Sequence, residues 1–568
     1  MRPTRWLFWG CTALYLGVGL YLTVGQGFVL GDALSRVSAA RSVWFSRDPH
    51  LAAIGFVFTP LTALVQLPTV LLSHWWPDLT SWAVTGVLMS APFMAGAVVQ
   101  IHKIGADRGC PIWLVWTVTA VFALNPMIVF YGGNGMSEAP FLAMMCWATR
   151  RLIRWCTTDD IHDLLAAGFA LGLAYLARYD ALAAGLAVTV FVFAVTVLRR
   201  GWANRRAQMR PALLDAVLVG LPTAMAFFVW ATVSWLITGQ ALQQFSSTYG
   251  NASILAQSGG GSTDTVYAVL FSAAESLVLG PALPLLVPIA AALAWRRRDL
   301  EVLAAVVVLA SVLGFATYSY ARGMTFPFLR FYLCALPLMA VLALQLVPAG
   351  DPLVVRRRGP SGFVRARFAG APAVPAALAA ALVVLTPAVT GASMLSPTLS
   401  SQQFALRSVV FPSSTDTSDR RATEQRILAS FTTERELARY LDSLALPEGS
   451  VLMDTVYGFA VYTATERPRT FVIPSDQDFT SVLNRPAEHG VQFLLAVPNS
   501  GRGESDAVNR RYPTLYETGA DIATLELEVP NDGQDQPTWR LYRVLQSGQR
   551  VPLRSRSTRR SGSSGPMS

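Results

Sequence analysis

Six charged side chains stand where an apolar sequence gives them no evident structural task. Asp32 lies in Phe28-Val29-Leu30-Gly31-Asp32-Ala33-Leu34, just past the first long apolar block. A carboxylate at such a depth costs about 2.5–3.5 kcal/mol on insertion scales, so its presence points to function; capping a helix from Ala33 onward is the plainer alternative. Glu138 follows Gly132-Gly133-Asn134-Gly135-Met136-Ser137 and opens a later apolar block. Ser137 as a helix cap, with Glu138 in the first turn, is the structural reading there. Two carboxylates in one cavity can divide the work of general base and acceptor positioning.

Arg178 and Asp180 interrupt a long apolar stretch, as Leu176-Ala177-Arg178-Tyr179-Asp180-Ala181. Either they pair with each other in a turn, or the cation faces a phosphate. Arg322 and Arg330 flank the aromatic segment from Met324 to Leu329 and precede Phe331-Tyr332. Guanidinium binds phosphate bidentately, which gives arginines among aromatics a use; snorkelling to lipid headgroups is the alternative. Tyr332, Tyr249 and Asp180 are further candidates for substrate contact.

Other motifs carry less. The loop Gly239 to Thr265, with Gln243, Gln244 and Gly259-Gly260-Gly261, has the length of a mobile lid. It is no nucleotide loop, because no Gly-Lys-Ser/Thr follows. Asn251-Ala252-Ser253 fits a glycosylation acceptor by pattern alone. The five histidines are scattered without ligand spacing, and no metal site is expected from them. Asp48, in Arg47-Asp48-Pro49-His50, reads as a turn former.

These residues must be held by a membrane protein. The 568 residues are 53% hydrophobic and only 14% charged, too apolar for a soluble globule. Residues 1–396 hold 26 Lys or Arg against 15 Asp or Glu, and the remainder holds 19 against 20. The net charge of +10 is therefore concentrated in the apolar region, where it reads as topology and not as nucleic-acid binding. All five cysteines lie in or beside apolar blocks, leaving the polar C-terminal region without material for disulfides or a cysteine zinc site.

Blocks long enough to span occur at about 6–24, 79–101, 112–130, 138–153, 163–177, 181–198, 212–238, 266–294, 300–320, 331–348 and 372–396, which makes about eleven. The Phe56 to Ser73 block decides the orientation. It contains Pro60, Gln66 and Pro68 and ends in His74-Trp75-Trp76-Pro77, which suits a helix lying at the headgroup layer. Read so, 20 of the 26 basic residues fall on one face, which the positive-inside rule makes cytoplasmic. The N-terminus is then cytoplasmic, and Trp6 to Val24 is an uncleaved first span. The loop 25–78 with Asp32, the turns bearing Glu138, Arg178 and Arg330, and everything after residue 396 are extracytoplasmic. Residues 397–547 read as a soluble α/β domain, with strand-like runs at 450–453, 470–473, 491–497, 522–529 and 539–544 and a helix over 433–444. From residue 548 onward Ser, Arg and Gly indicate a disordered tail.

The whole resembles the GT-C superfamily of membrane glycosyltransferases, especially the branch of protein O-mannosyltransferases and lipid A aminoarabinose transferases. Four features carry the resemblance: an acid after the first span (Asp32), a proline-containing apolar helix (Phe58-Thr59-Pro60-Leu61), an Asn-x-x-Ser-Glu turn (Asn134 to Glu138) and a late Arg330-Phe331-Tyr332. The resemblance implies a polyprenyl-phosphate sugar donor, an extracytoplasmic acceptor (glycan, lipid or protein), inversion at the anomeric carbon, and the inner membrane of a cell envelope. It further implies Asp32 as the base, Glu138 as positioning or second acid, and Arg330 with Arg322 or Arg178 holding the phosphate. A divalent cation is compatible with the family, although paired acids follow the first span in many members and Asp32 stands alone. A transporter or flippase of lipid-linked sugars, or a noncatalytic assembly protein, are the competing readings.

Overall fold

The computed structural model describes residues 2–198, 205–247, 250, 255, 264–297, 299–348, 373–413 and 415–546. Tyr249, Asn251 to Ser253, the glycine run 259–261, the basic segment 356–367 and the tail from residue 548 lie outside them.

Among the described residues, six helices are long and apolar enough to cross a membrane, or up to eight if each of two bent pairs is one span. They include Pro3–Gly25, Val84–Arg108, Ala181–Leu198 and Glu301–Ala321. The eleven expected blocks are all helical but are not eleven straight spans. The 112–130 block breaks by 62° between Ile112–Ala123 and Pro126–Gly132, where Asn125 caps the second helix through Met127 N and Pro126 cannot continue the first. The 266–294 block bends by 84° at Gly280-Pro281. The 163–177 and 331–348 blocks form shorter helices, Ile161–Ala177 and Ala335–Gln345.

The block that decides the orientation is short as well. Phe56 to Thr59 is irregular, and Leu61–Leu71 gives 11 residues of helix before a three-residue 3-10 turn, Leu72–His74. At 1.5 Å per residue this covers about 20 Å, less than the roughly 30 Å hydrocarbon core.

Glycines set the closest contacts in the bundle. An added Cβ at Gly133 would lie 2.7 Å from the Tyr15 carbonyl oxygen and 2.9 Å from Gly19 Cα, so the turn before Glu138 rests directly on the first helix. Gly135 has φ +75° and packs on Gly86 of the helix Val84–Arg108.

Toward the C-terminus lies a five-stranded sheet: β1 Val451–Leu452, β2 Phe471–Val472, β3 Phe493–Ala496, β4 Ala523–Val529 and β5 Trp539–Val544. Its order is β2-β1-β3-β5-β4, with β1 parallel to β2 and β3, and β5 antiparallel to β3 and β4. Strand alternation sends Leu452, Val472 and Leu494 into one core and Val451, Phe471 and Phe493 into another. This unit sits on the helix Gly31–Phe45. Val29, Leu34 and Val37 pack with Phe431, Phe459 and Ala460. Buried Arg41 donates to the carbonyl oxygens of Tyr462 and Thr465 at 2.6 Å each. Arg435 lies 3.8 Å from the ring centre of Trp82, and the Gln477 amide donates to Asp48 at 3.1 Å. Asp48 thus ties the loop to the sheet unit.

Candidate functional site

The helix Gly31–Phe45 begins immediately after an extended Leu30, so Asp32 stands in its first turn and is not its cap. Arg330 lies in the turn Leu329–Tyr332. The fold brings the two together, with Arg330 Nη2 donating to Asp32 Oδ2 at 2.7 Å. Glu138 opens the helix Glu138–Thr158, and its Oε1 lies 3.7 Å from Arg330 Nε. The same Oε1 accepts from Arg178 Nη1 at 2.6 Å, and Arg178 also pairs with Asp180 at 2.6 Å. A continuous chain runs Asp32, Arg330, Glu138, Arg178, Asp180. It draws on four separate stretches of sequence.

Burial differs along it. The side chains of Arg330 and Glu138 are 6% and 2% exposed, and that of Asp32 is 39% exposed, so the chain reaches the surface at Asp32. Asp32 lies outside the long apolar helices. Burial pushes its carboxyl up, but the guanidiniums of Arg330 and Arg36 outweigh this and hold it at about 2. Aromatic faces line the cations. Phe331 lies 5.2 Å from both Arg330 and Arg178, and Phe328 lies 5.2 Å from Arg330.

Arg36 completes the cluster and carries no motif in the sequence. It bonds the Asp32 carbonyl oxygen at 2.8 Å, approaches Ser137 Oγ at 3.4 Å and stacks 4.4 Å from the Phe58 ring centre. Ser137 therefore faces Arg36 and makes no side-chain cap, contrary to the capping expectation. The available signal was a basic residue four positions after Asp32 on a segment read as extracytoplasmic. Asn134 accepts from the Met136 amide at 3.1 Å, which shapes the turn before Glu138. Glu138 Oε2, Asn134 Nδ2 and Arg330 Nε are buried without hydrogen-bond partners among the described residues. Buried polar atoms of this kind usually have partners, so three of them at one place mark positions suited to a polar substrate.

Two expected residues are not part of the cluster. Arg322 is exposed at the end of the helix Glu301–Ala321. Tyr332 is buried, its hydroxyl 2.7 Å from Ser272 Oγ, so it braces the helix Thr265–Leu279. No group of three His, Cys, Asp or Glu among the described residues could hold a metal ion. A divalent cation does not fit between Asp32 and Glu138, because Arg330 contacts both.

The fold is similar to that of a solved structure. ArnT from Cupriavidus metallidurans bound to undecaprenyl phosphate matches with a TM-score of 0.54 and 12% identity, over 95% of this chain and 98% of that one. The apo structure of the same ArnT gives 0.49 and 13%, over 96% and 98%. The apo oligosaccharyltransferase of Archaeoglobus fulgidus gives 0.40 and 10%, over 97% and 76%. No protein-family model matches the chain, and no curated protein does.

Proposed function

We propose that this chain is a glycosyltransferase that moves a sugar, with inversion, from a polyprenyl-phosphate donor to an extracytoplasmic acceptor. One observation carries the reading: Asp32, Glu138 and Arg330, far apart in sequence, meet in one cluster that reaches the surface at Asp32, in a fold similar to that of ArnT. The bound undecaprenyl phosphate of the ArnT structure is the kind of lipid phosphate this reading requires.

In this account Asp32 takes the proton of an acceptor hydroxyl. The acceptor oxygen bonds the anomeric carbon while the bond from that carbon to the phosphate oxygen breaks, and the polyprenyl phosphate leaves with the electron pair. A single displacement of this kind inverts the centre. Arg330 meets the charge growing on the phosphate, in a setting where burial strengthens the interaction. Arg178 is committed to Glu138 and Asp180 and positions Glu138, which orients the acceptor through Oε2. A phosphate that draws Arg330 away from Asp32 also raises the basicity of Asp32, so donor binding prepares the base.

The charge at the two ends of the bundle supports an orientation for this reading. The helix Val84–Arg108 has 25 residues, about 37 Å of rise. Gly86 near its start touches the site turn, and Arg108 at its end pairs with Asp299 and Glu301 at 2.8 and 2.6 Å. Arg150, Arg151 and Arg154 lie toward the end of the Glu138 helix, away from the site. The positive-inside rule makes that basic end cytoplasmic and the Asp32 end, with the sheet unit (397–547), extracytoplasmic. Incubating the protein, both in detergent and reconstituted in sealed vesicles, with radiolabelled undecaprenyl-phosphate sugars and envelope extract tests the reading. Label moving to a new product supports it, and label carried across a vesicle membrane without transfer replaces it with transport.

A further inference from the structure

Two guanidiniums converge on one sulfur atom beside the acids. Arg36 Nη1 and Arg330 Nη1 each approach the Met136 sulfur at 3.9 Å, so the two nitrogens are no more than twice that distance apart. Met136 lies in the turn before Glu138, and Arg36 follows Asp32 by one turn on the same face of the helix Gly31–Phe45. A thioether is a weak acceptor and is no counter-charge for either cation.

The three arginines of the cluster use their charge differently. Arg330 donates to Asp32 Oδ2 at 2.7 Å and lies 3.7 Å from Glu138 Oε1. Arg178 is shared between Glu138 and Asp180 at 2.6 Å each. Arg36 is buried, 7% exposed, and among the described residues no carboxylate lies within ion-pair distance of it. Its donors meet neutral acceptors instead, the Asp32 carbonyl oxygen at 2.8 Å and Ser137 Oγ at 3.4 Å, and its Nε is buried without a partner. One face of its guanidinium rests on Phe58. Net charge does not single Arg36 out, because Asp32, Glu138 and Asp180 match the three arginines in number; the difference lies in contact. Bringing an anion onto Arg330 breaks an ion pair, whereas Arg36 gives up no carboxylate to receive one. A buried cation met only by dipoles is costly, and a ligand that supplies the missing anion offsets that cost.

We infer that Arg36 and Arg330 together clamp the phosphate of the lipid donor, with Arg36 as its first anchor. Two guanidiniums reaching one place from different elements suit a phosphate, whose oxygens each accept from a separate fork. Arg36 then takes the part that the sequence gave to Arg322 or Arg178. The inference rests on the reading of this cluster as the place where a lipid phosphate leaves, and it adds the residue that holds that phosphate.

Undecaprenyl phosphate and undecaprenol, which lacks the phosphate, are titrated separately onto the full-length protein in detergent. The proteins compared are wild type, R36Q, R36M, R36K and R330Q. R36Q is expected to weaken undecaprenyl phosphate about tenfold, the weight of a charge-assisted hydrogen bond, to leave undecaprenol unchanged and to move the phosphorus resonance of the bound lipid. R36K keeps the charge and is expected to fall between wild type and R36Q. Unchanged affinity and resonance in R36Q, or in R36M should R36Q fail to fold, overturn the inference. So does an equal loss of both lipids, which marks a role in the fold alone. Weakened undecaprenyl phosphate binding in R330Q but not in R36Q overturns the clamp and leaves the reading of the site standing. A wild-type protein that binds the two lipids equally overturns both.

Discussion

Arg330 Nη2 and Asp32 Oδ2 meet at 2.7 Å across 298 residues of sequence. The pair makes each residue depend on the other. Arg330 fixes the ionisation of Asp32, and Asp32 holds Arg330 where a phosphate could recruit it.

The pH dependence of transfer follows from this pair. In the wild type the carboxyl of Asp32 sits at about 2, below the ordinary carboxylate range, so its contribution is fully present above that range and is lost as pH falls toward 2. Any acid limb of kcat/KM due to Asp32 in the free enzyme thus lies below pH 4, by the usual value of about 3.9 for a free aspartate. In Arg330→Gln, burial is opposed by less positive charge and the limb moves to higher pH. Rate against pH for both proteins checks this; identical limbs would mean that Arg330 does not govern Asp32.

Arg41 fastens the sheet unit to the Asp32 helix through two carbonyl acceptors. Arg41→Met should cost about 3 kcal/mol, the net worth of two charge-assisted hydrogen bonds, and should expose the sheet unit to proteolysis. Thermal unfolding with a timed protease digest measures both. A loss of stability without new cleavage would place the unfolding elsewhere.

Gly133 leaves no room for a methyl group against Tyr15 and Gly19. Gly133→Ala should cost about 1–3 kcal/mol through overpacking and displace the turn that carries Glu138. Transfer by this variant should fall further than its melting temperature implies, whereas Gly10→Ala, which meets open space, should change neither.

Much of this was legible in the sequence because composition and period report burial directly. Apolar blocks marked the helices, and alternating strands marked the sheet unit at all five positions. Asp32, Glu138, Arg178, Asp180 and Arg330 stood out because charge in an apolar context is costly. Arg36 did not, since it sits in a segment where an arginine is unremarkable and only packing turns it toward Ser137 and Phe58. Tyr332 shows the converse: its neighbour in sequence enters the site, while its own hydroxyl is directed to Ser272. Helix breaks at Asn125-Pro126 and Gly280-Pro281 were visible as residues, but their angles depend on what the second half packs against.

The central claim is that Asp32 accepts the acceptor proton, and single-turnover transfer from a labelled undecaprenyl-phosphate sugar by Asp32→Asn tests it most directly. The account predicts a fall of at least about a hundredfold, the usual weight of a general base, with undecaprenyl phosphate still bound. Transfer at the wild-type rate by a folded Asp32→Asn protein would contradict it.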